Sequence, residues 1–243
     1  MRQPRVIVIR HGETEWSING RHTGTSDIPL TAKGEEQVAR LSKTAVGPDG
    51  FLRPERIARI FVSPRVRARR TLELLLSSVP QPQRDLLADR TTIDDAVQEW
   101  MYGEGEGLRP AELSQRYGSQ WQKYRDGFPG GETPEAIRTR IQGVISNVHA
   151  VHARYWEAND ESEPSDVLIV SHGDFTRCRS ASTAATVGLT QIQGFLIAWL
   201  DLPFEAGQNL TVSPGAINVG GYRPNSISKR TLEGFNLYSL PPS

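Results

Sequence analysis

Three short, continuous runs of apolar residues constrain the fold of this 243-residue chain most strongly. They lie at 6–9, 60–62 and 167–170, and β-branched residues dominate them. An unbroken apolar run is typical of a strand that is buried on both faces of a sheet. Segments with the apolar spacing of helices lie between the runs, at 31–46, 65–76 and 134–156. This alternation predicts a three-layer α/β/α sandwich with a mostly parallel central sheet.

Polar residues follow each apolar run at once. They are Arg-His-Gly at 10–12, Ser-Pro-Arg at 63–65 and Ser-His-Gly at 171–173. In open parallel sheets, ligands bind at the carboxyl ends of the strands. We therefore expect the three segments to contribute to one site.

Charge and cysteine content exclude several classes of partner. Twenty-eight basic residues balance 28 acidic ones, so no overall field attracts nucleic acid or an anionic membrane. The longest apolar run, 195–200, is too short to span a bilayer, and residues 1–10 are too poor in apolar residues for a signal peptide. The single cysteine, Cys178, excludes an intrachain disulfide. We expect a cytoplasmic protein that forms one domain over 1–243, with a small-molecule partner. A homo-oligomer is compatible with the sequence.

His11 and Arg10 combine two groups that phosphoryl transfer requires. An arginine guanidinium neutralises and orients a phosphate through its planar fork of donors. A neutral imidazole can attack phosphorus in line and hold the group as a phosphoramidate. The pair therefore predicts a nucleophilic histidine beside a phosphate-binding arginine.

A basic segment follows the run at 60–62 and opens a helix. It places four arginines within residues 65–70. A helix N-terminus favours anions, and the arginines add to that. Helical periodicity cannot direct all four inward, so we expect two or three of them to lie on a solvated basic face.

The motifs, in their order along the chain, resemble those of the histidine phosphatase superfamily, which includes the cofactor-dependent phosphoglycerate mutases. They are Arg-His-Gly, Ser-x-x-x-Arg-Ala-x-x-Thr from Ser63, Glu-x-x-Tyr-Gly-x-x-Glu-Gly from Glu99, and the late Ser-His-Gly. The resemblance extends from Val6 to about Tyr222 and is greatest to the fungal sedoheptulose-1,7-bisphosphatase-like branch. It implies a phosphatase that hydrolyses a sugar bisphosphate, such as sedoheptulose 1,7-bisphosphate, through a phosphohistidine.

The same resemblance implies a role for individual residues. His11 matches the phosphorylated nucleophile, and Glu99 matches the proton donor to the leaving oxygen, with Glu104 and Glu106 as nearby alternatives. The groups that hold the phosphoryl oxygens correspond to Arg10, Arg67 and His172. Contacts to the rest of the substrate correspond to Thr23, Gly24, Tyr102 and Arg177. The five histidines and one cysteine have no usual metal-ligand spacing, so we expect neither a metal nor another cofactor.

Some positions depart from the pattern of the branch. His22 stands where tyrosine is usual, and Gly105 where an aromatic residue is common. Asp174 adds a carboxylate after the late Ser-His-Gly. We interpret it as the N-cap of the following helix, with a place in the phosphate pocket as the alternative.

The segment 179–194 is an atypical insert, rich in Ser, Ala, Thr, Gly and Gln. Without it, residues 174–178 would continue into the apolar run at 195–200 as one buried helix. A polar insert within a core helix conflicts with the surrounding pattern. It is either an evolved surface loop or a retained intron or gene-structure error, translated in frame.

Two other functions compete with the phosphatase. A phosphoglycerate mutase would use the same pocket and return the phosphate to the substrate. The chain lacks the longer basic, tyrosine-containing insertion that glycolytic mutases carry after the Glu99 motif. A catalytically impaired regulatory homologue is the third hypothesis, and only the insert supports it.

Overall fold

The computed structural model describes residues 2–176, 194–202 and 210–238. Its centre is a six-stranded sheet with the order β3-β2-β4-β1-β5-β6. The strands are β1 (Val6–Arg10), β2 (Ile57–Val62), β3 (Thr91–Ile93), β4 (Asp166–Ser171), β5 (Ile217–Tyr222) and β6 (Arg230–Leu237). The three apolar runs thus form β1, β2 and β4, as the sequence predicts.

Helices connect and cover the strands. They are α1 (Glu15–Asn19), α2 (Ala32–Ala45), α3 (Val66–Leu75), α4 (Gln81–Asp89), α5 (Pro110–Tyr117), α6 (Lys123–Asp126), α7 (Pro134–Ala158), α8 (Gly173–Thr176) and α9 (Phe195–Trp199). The helices predicted at 31–46, 65–76 and 134–156 correspond to α2, α3 and α7. At α2, Thr31 is the N-cap and its side-chain oxygen accepts the Gly34 N–H at 2.9 Å.

The sheet is mostly parallel. β1 and β2 both pair in parallel with β4, and β2 also pairs in parallel with β3. β5 runs antiparallel to β1, and β6 runs antiparallel to β5. The parallel part brings the carboxyl ends of β1, β2 and β4 to one edge.

The core has two parts, one on each face of the sheet. Val6 and Val8 of β1 belong to the part that includes α7 and α9. Ile7 and Ile9 belong to the other part, which includes residues of α2 and α3. Successive side chains of a strand point to opposite faces, so a strand with helices on both sides must be apolar throughout. This confirms the three-layer α/β/α fold. None of the described helices is both long enough and apolar enough to cross a membrane.

Two short helices flank the atypical insert. The rings of Phe175 in α8 and Phe195 in α9 stack with centroids 6.0 Å apart, and Phe195 stacks on Trp199 at the same separation. If 179–194 were absent, these three aromatic residues would recur at four-residue intervals and share one helix face. The segment 179–193 lies outside the described residues, as do Arg177 and Cys178.

Candidate active site

His11 follows β1 directly and lines a cavity of about 530 Å³. The side chain is almost completely buried, and its Nδ1 is 2.7 Å from the carbonyl oxygen of Gly12. A carbonyl oxygen only accepts hydrogen bonds, so Nδ1 carries the proton of the neutral ring. The lone pair is then on Nε2. This is the tautomer that a nucleophile requires.

Burial lowers the pKa of His11 well below the usual value of 6.5, and the positive charges of Arg67 and Arg10 lower it further. The pKa of His172 is lowered in the same way, first by burial and then by Arg67. Both rings are therefore neutral near neutral pH. A neutral His11 is ready to attack phosphorus.

His172 follows β4, and its ring meets that of His11 edge to face with centroids 5.2 Å apart. The Nε of Arg67 donates to Nδ1 of His172 at 3.2 Å, and Nε2 of His172 is 2.7 Å from Oγ of Ser63. Since Nδ1 accepts a hydrogen bond, Nε2 carries the proton of the neutral ring and donates a hydrogen bond to the Ser63 hydroxyl. Three strand ends thus meet at one site, as the sequence predicts.

Arg67 is the one arginine of the segment 65–70 that is fully buried. Besides His172, it donates to the carbonyl oxygens of Ser26 and Thr23, each at 2.9 Å. The other three arginines are exposed or partly exposed, as helical spacing predicts. Arg67 and His172 are not among the residues that line the cavity, although both lie close to His11, which does line it.

Arg10 does line the cavity. Its Nη1 donates to the carbonyl oxygen of Val212 at 2.7 Å, which anchors the guanidinium beside His11. A Cβ at Gly173 would lie 3.3 Å from the Arg10 Nε, so the glycine allows the guanidinium to pack closely against the start of α8. The sequence pair Arg10–His11 therefore supplies a cation and a nucleophile to the same cavity.

Glu99 also lines the cavity, although it is almost completely buried. Its carboxyl group accepts three backbone N–H groups, those of Trp100 at 3.0 Å, Asp174 at 3.0 Å and Phe175 at 2.9 Å. Burial raises the pKa of Glu99, and the negative charge of Asp174 raises it further, whereas the backbone donors act in the opposite direction. A raised pKa suits a carboxyl group that must give up a proton near neutral pH.

The two alternative glutamates lie elsewhere. Glu104 is exposed and forms an ion pair with Arg116 at 2.5 Å. The carboxylate of Glu106 accepts the backbone N–H groups of Gly24 and Ser26. Of the three glutamates, only Glu99 lines the cavity.

The expected substrate-contact residues separate into three groups. Thr23 and Tyr102 line the cavity. Gly24 does not line the cavity. Its N–H donates to the carboxylate of Glu106, and a Cβ there would lie 2.3 Å from the carbonyl oxygen of Trp100. The glycine is required by this close backbone approach. Arg177 lies outside the described residues.

The interpretation of Asp174 as an N-cap is wrong. Asp174 lies within α8, and its carboxylate lines the cavity. The carboxylate accepts the hydroxyl of Tyr102 at 2.5 Å and forms an ion pair with Lys123. Glu99 instead receives the amide groups of Asp174 and Phe175 in the first turn of α8. The alternative, an additional carboxylate in the pocket, is correct.

The two departures from the branch have local explanations. A Cβ at Gly105 would lie 2.3 Å from the ring of Phe128, which fills the space of a larger residue. The ring of His22 meets Tyr102 edge to face at 4.8 Å. Burial, the largest cause, and the charge of Lys123 lower the pKa of His22 to about 4, so the ring is neutral.

The cavity also contains residues that sequence reasoning missed. A cation, Lys123, lies beside Asp174. Further lining residues around the nucleophile are Trp16, Arg21, Leu113, Trp121 and Gln122. Trp16 belongs to the segment Thr14-Glu15-Trp16-Ser17, which resembles the sedoheptulose-1,7-bisphosphatase-like branch, but the resemblance assigned it no role. The others carry no motif signal, since they come from separate loops and short helices. Within the described ranges, no group of three or more His, Cys, Asp or Glu side chains is arranged to hold a metal ion.

The chain is similar to several known proteins. Sedoheptulose 1,7-bisphosphatase of Saccharomyces cerevisiae is 36% identical over 181 residues, which are 72% of this chain and 65% of that protein. The 2,3-bisphosphoglycerate-dependent phosphoglycerate mutase 2 of Gloeobacter violaceus is 35% identical over 182 residues, 71% of this chain and 72% of the relative. The match therefore spans just under two thirds of the yeast protein.

Solved structures share the fold. The alpha-ribazole phosphatase of Shigella flexneri superposes with a TM-score of 0.68 over 98% of this chain and 99% of that chain, at 20% identity. The sequence model of the Histidine phosphatase superfamily (branch 1) matches residues 6–233. A match of this extent shows that the chain belongs to the histidine phosphatase superfamily.

Proposed function

We propose that the protein hydrolyses a phosphomonoester of a small sugar bisphosphate, such as sedoheptulose 1,7-bisphosphate, through a phosphohistidine at His11. The observation that carries this proposal is the hydrogen bond from Nδ1 of His11, which lines the cavity, to the Gly12 carbonyl. It leaves the Nε2 lone pair as the nucleophile, next to the guanidinium of Arg10.

In the first step, Nε2 of His11 attacks phosphorus and the bond from phosphorus to the leaving oxygen breaks. Arg10 and the buried Arg67 stabilise the negative charge on the transferring group. A sugar alkoxide is a poor leaving group, so Glu99 donates its proton to the leaving oxygen. The products are phosphohistidine, a sugar alcohol and the carboxylate of Glu99.

In the second step, water attacks the phosphohistidine. Glu99 is now ionised and accepts a proton from the water as the oxygen bonds to phosphorus. The bond between nitrogen and phosphorus breaks, and inorganic phosphate leaves. This step restores neutral His11 and protonated Glu99 for the next cycle.

The cavity supports a small anionic substrate. Its lining includes three cationic side chains, those of Arg10, Arg21 and Lys123, together with several polar groups. A volume of about 530 Å³ is within the range of small-molecule sites. The similarity to the yeast sedoheptulose 1,7-bisphosphatase supports a sugar bisphosphate within that class.

A substrate panel tests the proposal. Purified protein is incubated with sugar bisphosphates, sugar monophosphates and phosphoglycerates, and both inorganic phosphate and isomeric products are quantified. The proposal expects stoichiometric inorganic phosphate from a sugar bisphosphate. Interconversion of phosphoglycerates without phosphate release would favour the mutase. Absence of turnover and of His11 phosphorylation would favour the impaired regulatory homologue.

The location and partners expected from the sequence remain predictions. We propose a cytoplasmic protein whose partner is the phosphorylated metabolite, with neither nucleic acid nor membrane as a ligand. Its balanced charge supports this expectation.

A further inference from the structure

Tyr102, Lys123 and Asp174 form a polar cluster on the wall of the cavity, apart from the strand-end histidines. The Tyr102 hydroxyl donates to Asp174 Oδ2 at 2.5 Å, and the Lys123 ammonium pairs with the same oxygen. Lys123 also lies over the ring of Tyr102, 4.6 Å from its centroid. The side chains of Lys123 and Asp174 are mostly buried, 15% and 12% exposed, so water screens the pair weakly.

Asp174 is joined to Glu99 through its own backbone. Its N–H donates to Glu99 Oε2 at 3.0 Å, while the next amide, that of Phe175, donates to Glu99 Oε1. One residue therefore both fixes a carboxyl oxygen of Glu99 and places a second carboxylate nearby. Two carboxylates in one low-dielectric site disfavour each other's ionised form.

We propose that Asp174 is a positioning residue for Glu99, and that its carboxylate, held by Lys123 and Tyr102, keeps the proton on Glu99 until the leaving oxygen takes it. The inference rests on the proposed role of Glu99 as the proton donor. It assigns Lys123 an opposing role, since an ammonium near Glu99 favours the carboxylate. The balance between the two charges then sets how readily Glu99 gives up its proton.

The surrounding charges are consistent with this assignment. Asp174 raises the pKa of Glu99 and Lys123 lowers it. Other polar or charged groups around the cluster come from the end of β1, from α3 and from the loop after α1: Arg10, His11, Arg67 and His22. His11 and His22 are neutral near pH 7, because the pKa of each is lowered. Arg10 and Arg67 keep their positive charges in every variant considered below.

The test uses two variants with opposite expected effects. The pH dependence of kcat/KM is measured for a sugar phosphate, and its high-pH limb reports loss of the proton donor. Asp174→Asn keeps the backbone amide and removes the charge, so this limb should move to lower pH by about one unit. Lys123→Met removes the opposing cation, so the limb should move to higher pH. Asp174→Glu keeps the charge and should leave the limb near its wild-type position.

An aryl phosphate such as 4-nitrophenyl phosphate separates this role from a structural one. Its leaving group needs little protonation, so neither variant should move a high-pH limb on this substrate. Equal loss of kcat/KM at every pH and on both substrates would overturn the inference. So would shifts of both variants in the same direction. If Asp174→Asn fails to fold, Lys123→Met still tests the inference: a shift of the high-pH limb to higher pH supports it, and no shift overturns it.

The wild-type protein distinguishes this inference from the proposed function. A high-pH limb on the sugar phosphate that is absent on the aryl phosphate supports Glu99 as the acid. Identical high-pH limbs on the two substrates would show that Glu99 is not the proton donor, and would overturn the inference as well. A wild-type difference that neither variant alters would overturn the inference alone and leave the proposed function in place.

Discussion

His11 and His172 meet edge to face because the register of β1 and β4 brings them together. The two strands pair in parallel with Arg10 opposite Ser171, and the His11 N–H donates to the Ser171 carbonyl at 2.9 Å. The residues that follow the two strands, His11 and His172, are therefore neighbours. Backbone hydrogen bonds thus bring the two histidines together, and the hydrogen bonds of their ring nitrogens orient the rings.

His11→Ala should abolish almost all turnover, because it removes the nucleophile of the proposed mechanism. Rapid acid-free quenching of the wild type during turnover should reveal phosphate on His11, detected by mass spectrometry. His149→Ala removes an exposed histidine of α7 and is the matched control. Normal turnover by a folded His11→Ala variant would contradict the assignment.

The lowered pKa of His11 predicts the behaviour of its ring at mildly acidic pH. A depressed pKa means that the neutral ring persists as the pH falls through 6.5. Imidazole nitrogen signals in a ¹⁵N-labelled protein should therefore show His11 predominantly uncharged, with the proton on Nδ1, at pH 6.5, where an unperturbed imidazole is half protonated. A titration midpoint near 6.5 for this ring would contradict the geometry described here.

Glu99→Gln should slow a sugar phosphate far more than an aryl phosphate, because glutamine cannot donate a proton to the leaving alkoxide. General acid catalysis is typically worth about 10²–10⁴-fold, and the loss on the sugar phosphate should lie in this range. Glu104→Gln alters an exposed carboxylate of the same motif and should leave both rates unchanged. Equal losses on the two substrates would indicate a binding role for Glu99.

Arg67→Ala should lower the free energy of unfolding as well as activity. The change would leave the partly buried carbonyl oxygens of Thr23 and Ser26 without their Arg67 donors. A hydrogen bond to a charged group contributes about 1.5–3 kcal/mol, so we expect a loss of about 3 kcal/mol or more in urea unfolding. Arg69→Ala, on the exposed side of α3, should change stability by less than about 0.5 kcal/mol. Comparable losses in the two variants would refute this distinction.

Deleting residues 179–194 should raise the melting temperature and preserve the catalytic motifs. The deletion places Phe195 four residues after Phe175 in sequence, and those rings already stack at 6.0 Å. One continuous helix would replace α8 and α9 and gain the intrahelical hydrogen bonds that their ends lack. Transcript sequencing should also detect a message without this segment. Lower stability in the deletion variant, with the segment present in every transcript, would show that it is a native part of the fold.

The strands were predictable where burial on both faces imposes one residue type. Runs in β1, β2 and β4 are apolar for that reason. β5 has no such run because Gly220 and Gly221 interrupt it, and glycine is a poor strand signal. The structure supplies the reason: a Cβ at Gly220 would lie 2.5 Å from the Trp199 indole nitrogen, and one at Gly221 would lie 2.0 Å from Glu233. These contacts join segments that sequence periodicity cannot relate.

The site was predictable at the strand ends and not at the cavity wall. Arg10, His11 and His172 follow apolar runs, and their meeting follows from a parallel sheet. Lys123 is the first residue of the four-residue helix α6, in a segment bounded by Gly118 and Gly127, which have positive φ angles of 84° and 67°. Such a segment has no regular spacing of apolar residues that would indicate which of its sides is buried. Its contact with Asp174 depends on tertiary packing.

Two side chains of opposite charge hold the loop at 23–26, one through its backbone N–H groups and the other through its carbonyl oxygens. Glu106 takes its N–H groups at Gly24 and Ser26, while Arg67 takes its carbonyl oxygens at Thr23 and Ser26. A loop whose backbone is fixed in this way should keep one conformation when substrate binds. Slow hydrogen exchange at the Gly24 and Ser26 amides would be its signature. Because Thr23 of this loop lines the cavity, substrates whose leaving alcohols differ in length would then be distinguished by how well they fit a cavity wall of fixed shape.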